Sequence, residues 1–220
     1  MYTPEKTSTV VIVGRWNEFI LTPPWVAKHV FELPKIKSEF TWSRAGIGVR
    51  LIGELAEIVS SSDRVVIFAL RTDGESNRRI EELGRRLLEK LPHTPIGGIG
   101  INHAFVESAD TPGVAELLDV PEHDKLTAEL PLESFEIGRR LAADGYKVNI
   151  KLSKQTRADE VRFDFNFDYS GANLENPVAC LTEGIVQEHF DFAVELLGTS
   201  CNLSLEEQPE EGSDESEDGQ

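Results

Sequence analysis

The sequence predicts an α+β fold: a mainly antiparallel β-sheet in two β-rich halves, each closed by an amphipathic helix. Three stretches carry that reading. Between Glu75 and Leu91, the residues Ile80, Leu83, Leu87, Leu88 and Leu91 fall on one helical stripe, with charge on the other side. Around Asp144-Gly145, a strong two-residue turn signal, the flanking segments alternate in period two. At Asn176-Pro177 a second amphipathic helix begins, with proline at its first position. Strands followed by a helix therefore occur twice, over 9–91 and 95–198, the pattern of a pseudo-repeat within one α+β domain of residues 9–205. Residues 1–8 read as a disordered or extended N-terminus, and 206–220 as an acidic disordered tail.

In chain order, Thr9 to Val13 is a short apolar strand ended by Gly14. Thr22 is placed to cap a helix with Pro23 at its first position, running to about Phe31, with Trp25, Val26, His29 and Val30 on its buried side. Ile36–Ser43 and Ile47–Ile52 read as strands joined by a hairpin at Ser43-Arg-Ala-Gly46. Leu55–Val59 fits neither period clearly, and Val65–Leu70 reads as a buried strand. Asp73 or Ser76 is placed to cap the helix that follows. On its outer face Glu81–Arg85 and Glu82–Arg86 are pairs at i, i+4. Pro92 and Pro95 stop it, because proline cannot continue the helical bonding and restricts the residue before it.

The strand Ile96–Val106 has two unlike faces. Ile99, Ile101, His103 and Phe105 share one, and Gly98, Gly100, Asn102, Ala104 and Val106 the other. A face so small predicts a helix or another backbone lying close against it. Its glycines match no phosphate-loop spacing. Val114, Leu117 and Leu118 then form a short helix begun by Asp110-Thr-Pro-Gly113. Closing a hairpin on Asp144-Gly145 sets Leu141 opposite Val148, Arg139 opposite Ile150 and Ile137 opposite Leu152. A loop at 156–159 sets Leu152 against Phe163, Ile150 against Phe165 and Val148 against Phe167. The reverse face pairs Lys151 with Asp164 and Lys147 with Asp168. Arg139 alone breaks the apolar face. Ser134–Ala142 also has helical spacings, but the matched register favours strand. The last helix presents Val178, Leu181, Ile185, Val186, His189, Phe192, Ala193, Leu196 and Leu197, and Gly198 ends it.

The formal charge of −17 disfavours nucleic acid or an anionic membrane as a passive partner and favours a basic protein partner. Eight acids and no base lie in 206–220, so the remainder carries −9 and is acidic as well. No apolar run is long enough to span a bilayer and no signal peptide is present, which predicts a cytoplasmic protein. Cys180 and Cys201 lack metal or redox spacing and read as reduced thiols.

No nucleophile elbow, zinc-protease helix, Walker loop or EF-hand loop occurs, and no metal or cofactor is implied. His123, between acids, reads as a solvated loop residue. Trp16, Trp25 and His189 are the candidates for a partner surface, although tryptophan is more often core. If a pocket exists, His103 with Asn102 or Asn149 is placed to line it; core burial of His103 with one hydrogen bond is the plainer reading.

At Leu91-Pro-His-Thr-Pro-Ile-Gly-Gly-Ile-Gly-Ile-Asn-His-Ala-Phe105, the chain resembles a set of uncharacterised bacterial proteins. Thr22-Pro-Pro-Trp25 and the strand Val161–Tyr169 extend that resemblance over most of 9–198. It implies no activity and no catalytic residues. SecB-type export chaperones offer a purely architectural analogy, being small, acidic and built of antiparallel sheet flanked by helices. The expected function is a non-enzymatic protein-binding or assembly adaptor of a bacterial cytoplasm, with homo-oligomerisation left open. The alternatives are a chaperone or antitoxin-like holder of a client chain, and a small-molecule enzyme with its pocket at His103.

Overall fold

The computed structural model describes residues 1–4, 6–43, 46–118, 134–155, 159–170, 174 and 176–205. The acidic tail and His123 lie outside the described residues. Nine strands form one sheet: β1 (Thr9–Gly14), β2 (Lys37–Ser43), β3 (Gly46–Ile52), β4 (Ala56–Ser60), β5 (Arg64–Ala69), β6 (Ile96–Ser108), β7 (Ser134–Ala142), β8 (Lys147–Gln155) and β9 (Glu160–Ser170). Their spatial order is β2-β3-β4-β5-β1-β6-β9-β8-β7, and every neighbouring pair is antiparallel. The helices are α1 (Pro23–Val26, continued by a π-turn over Ala27–Phe31), α2 (Gly74–Lys90), α3 (Pro112–Leu118) and α4 (Ile185–Cys201). Among the described residues each half runs strand, short helix, meander, long helix, with a 3-10 turn before the last, and the first strands of the halves, β1 and β6, meet at the centre of the sheet.

The hairpins have the register their turns and patterns dictate. Leu141 faces Val148, Ile150 faces Phe165, and Val148 faces Phe167. Gly145 sits at φ 85°, a conformation glycine adopts without a Cβ clash. The helical alternative for Ser134–Ala142 is thereby excluded, and Leu55–Val59 falls largely within β4.

One face of the sheet is core. Val10, Ile12, Ile67, Ile101 and Phe167 are fully buried on it. Helix α2 approaches this face through Gly84, where an added Cβ would stand 3.4 Å from Val10 Cγ1 and 2.8 Å from Leu181 Cδ1. Its stripe of Ile80, Leu83, Leu87 and Leu88 is buried as the periodicity requires. Asp73 caps it, accepting from the Ser76 N–H at 2.7 Å. Helix α4 covers the other half, with Phe190 5.5 Å from His103 and 5.4 Å from Phe105 between ring centroids.

Several expectations change. Thr22 makes no side-chain cap, and the π-turn shifts the buried set of the first helix to Val26, Ala27, Val30 and Phe31. Trp25 and His29 are half-buried. The last helix is broken. Pro177–Leu181 is a 3-10 turn, Thr182 is extended, Gly184 has φ 90°, and α4 starts afresh at Ile185. It also runs past Gly198 to Cys201 and ends on Asn202 in the left-handed conformation. Glu81, expected on the solvated face of α2, is buried, because its carboxylate accepts the N–H groups of Gly184 (3.1 Å) and Val186 (3.3 Å). It satisfies donors that every helix start leaves without a partner, and so joins the two halves. The N-terminus is docked: Tyr2 bridges Val106, and Met1 is buried.

Candidate functional site

The expected pocket residues separate. His103 and Asn102 are neighbours on β6 and therefore face opposite sides of the sheet. His103 lies in the core at 1 % exposure, its Nδ1 3.0 Å from Ser8 Oγ, its ring edge-on to Phe190 and Phe167. Burial holds its pKa down at about 3. Ser8 and His103 have the contact of a nucleophile with its base, but Ser8 is only 2 % exposed. Neither group is open to a substrate in this state, and no carboxylate bonds to either among the described residues.

Asn102 and Asn149 belong to a ladder on the opposite face. Arg140 Nε donates to Asn149 Oδ1 (2.7 Å), Asn149 Nδ2 to Asn166 Oδ1 (2.9 Å), Asn166 Nδ2 to Asn102 Oδ1 (2.8 Å), and Asn102 Nδ2 to Thr9 Oγ1 (2.9 Å). The ladder crosses β7, β8, β9, β6 and β1 in register. The small residues of β6 make room for it: a Cβ on Gly100 would come within 2.9 Å of Asn166 Nδ2. The ladder stands where a helix or another backbone was expected against this face. Each amide here spends both its carbonyl and its N–H on neighbouring side chains, so the ladder knits strands and offers little to a ligand.

The expected partner surface is largely core. Trp16 is buried with its Nε1 donating to the Ile12 carbonyl at 3.1 Å. His189 is buried, stacked on Phe167 at 3.9 Å, with Nε2 2.7 Å from the Tyr169 hydroxyl. Burial lowers the His189 pKa to about 4 and raises that of Tyr169. Trp25 is half-buried, its ring 5.1 Å from that of His29. These rings do not combine into one exposed patch.

A different feature is open. Helix α4 lies over β6 and β9, and the sheet continues beyond it to β8 and the edge strand β7. An apolar groove of about 260 Å³ results, walled by Ile137, Leu141, Ile150, Leu152, Phe163 and Phe165 from the sheet and by Leu117, Leu196, Leu197, Ser200 and Cys201 from the helices. Leu141 on β7 is 41 % exposed at its margin, and Phe192 on α4 is 39 % exposed. Arg139 is the one charged residue lining the groove. It is exposed, and among the described residues it has no ion-pair partner. The Cys201 thiol is free and buried, and burial raises its pKa, with Arg139 pulling weakly the other way.

A second cleft, along α2, is lined by Glu75, Arg78, Arg79, Glu81, Glu82, Arg85 and Glu183. Part of its charge is spent internally: Arg79 pairs with Glu82, and Glu81 caps α4. Among the described residues no three His, Cys, Asp or Glu side chains cluster as metal ligands, and no helix is long and apolar enough to cross a membrane. The groove had one trace in the sequence, the arginine that interrupts an apolar strand face. The buried carboxylate of Glu81 had none, since its partners lie more than 100 residues away. No protein-family model matches this chain, and no curated protein matches it either.

Proposed function

We propose that this chain is a non-enzymatic protein-binding or assembly adaptor, and that its partner site is the groove between α4 and the β7–β8–β9 end of the sheet. One observation carries the reading: an apolar groove opens beside the edge strand β7, with Leu141 exposed and Ile137 half-buried at its margin, where a monomer gains nothing by leaving them in water. At about 260 Å³ the groove is smaller than the roughly 300–1,000 Å³ of most small-molecule pockets. It suits a few side chains of a bound polypeptide. The same size speaks against a chaperone that holds long unfolded clients, and the burial of His103 against an enzyme centred there.

Panning a random peptide library displayed on phage over the protein tests this. Sequences whose binding disappears with Leu141→Asp, a change at an exposed margin that leaves the circular dichroism unaltered, support the reading. Enrichment that is indifferent to Leu141→Asp and Ile137→Asp rejects it.

A further inference from the structure

We infer that the occupant of the groove is an extended, acidic segment of a partner chain, which adds to β7 as a tenth strand and sets a carboxylate on Arg139. This rests on the partner-site reading above and names the chemistry of the partner. Three observations converge on it.

First, among the described strands β7 is a nine-residue edge strand with β8 as its neighbour. Among the described residues nothing pairs with its outer side, so a row of backbone donors and acceptors is available to another strand. Second, the groove runs beneath the inward face of this same strand, through Ile137, Arg139 and Leu141. A segment paired with β7 projects alternate side chains to that side. Apolar ones meet Ile137 and Leu141, and the one near Arg139 meets a guanidinium. Third, charge is distributed unevenly. The hairpin 134–155 carries Arg139, Arg140, Lys147, Lys151 and Lys154 against Glu136 and Asp144, a net of +3 within a chain of −17. The whole-chain charge points to a basic partner; the local field at this edge points to an acidic one.

An inward-pointing charge on an edge strand also protects it from indiscriminate pairing. Arg139 does this selectively: it repels basic strands, leaves a neutral strand with a poorly solvated cation, and is satisfied by a carboxylate in a bidentate geometry. A second copy of this chain fits worse, because pairing β7 with β7 brings together two hairpins of net +3 each.

The test uses the full chain and an acetylated eight-residue peptide that alternates Val or Leu with Thr and carries one Glu at a central apolar-side position, with Gln and Lys versions. Fluorescence anisotropy is expected to rank Glu over Gln by about tenfold and to show still weaker binding of Lys, as a charge-assisted bond requires. Arg139→Glu should invert the order, so that the Lys peptide binds best. N-methylation of one alternating set of peptide amides should abolish binding and of the other set should not, because only alternate N–H groups face the neighbouring strand. Equal binding of the Glu and Gln peptides, equal effects of both N-methyl sets, or a dimer in sedimentation that Leu141→Asp dissociates would each overturn the inference. The first two leave the groove as a partner site of other specificity. Binding of none of the peptides, with a phage library that recovers nothing groove-dependent, removes the partner site as well.

Discussion

At one end of the sheet, β4, β5 and β1 lie beneath α2, and β3 is reached by the π-turn that follows α1, where Phe31 packs so closely on Gly53 that a Cβ there would stand 2.6 Å from the ring. At the other end, α4 holds β6 and β9 with Phe190 and His189, while the half-buried Ile137 and the exposed Leu141 on β7 line the open groove. The two halves share an order of elements and differ in closure. Gly84 lets α2 settle onto the sheet, so that its leucines reach the strands. In α4 the equivalent work falls to bulky rings, which fix the helix over two strands and leave the outer pair open. Unequal closure of similar halves leaves an apolar groove beside β7, while at the opposite edge, on β2, it is Phe40 that stands 61 % exposed.

The largest expected effect is on the closed side. Leu83→Ala, at a site with no exposure, should lower stability by roughly 2–5 kcal/mol in urea denaturation. Leu141→Ala on the open side should cost less than about 1 kcal/mol. Similar losses at both positions would erase the contrast between the ends.

The pH response should come next in size, and from the core histidines. Both have folded pKa values lowered by burial, to about 3 for His103 and about 4 for His189. Below an unfolded pKa of about 6.5 the unfolded chain takes up protons that the native state refuses, so stability is lost as pH falls from there toward 4. The slope should be roughly 1.4 kcal/mol per pH unit for each histidine, and His189→Phe should remove about half of it. Glu81 acts in the opposite sense, because burial raises its pKa. A flat stability curve between pH 6.5 and 5 would mean that water reaches these rings.

Glu81→Ala should cost about 1–3 kcal/mol, the penalty of leaving the Gly184 and Val186 donors unmet, and should increase amide exchange at the start of α4. Glu81→Gln keeps an acceptor and should cost less. Exchange confined to α2 would show that the carboxylate does not couple the halves.

The smallest effect concerns the tail. Deleting residues 206–220 should leave the melting temperature unchanged within error, since that run offers no large apolar side chain to bury. A fall of many degrees would identify the chain's own acids as a cover for the basic open end.

Local features determined much of this fold from the sequence alone. The Asp-Gly turn and the loop at 156–159, with the alternation on either side of each, were enough for the pairing of Leu141 with Val148 and of Ile150 with Phe165, because register depends on contiguous residues and a one-residue slip exposes a whole face. The stripe of α2 was legible for the same reason. Depth was not. His189 and Trp16 stood as candidates for a partner surface even though core was the plainer reading for tryptophan, and it is the packing of the fold that places both inside. The break at Gly184 depends on a glutamate 103 residues away that completes the new helix start. Small residues on β6 predict close contact, but the asparagines of β8 and β9 decided that the contact is a ladder and not a helix. Periodicity assigns a side to each residue; which sides are sealed depends on where distant elements stop, and at β7 the covering helix stops short.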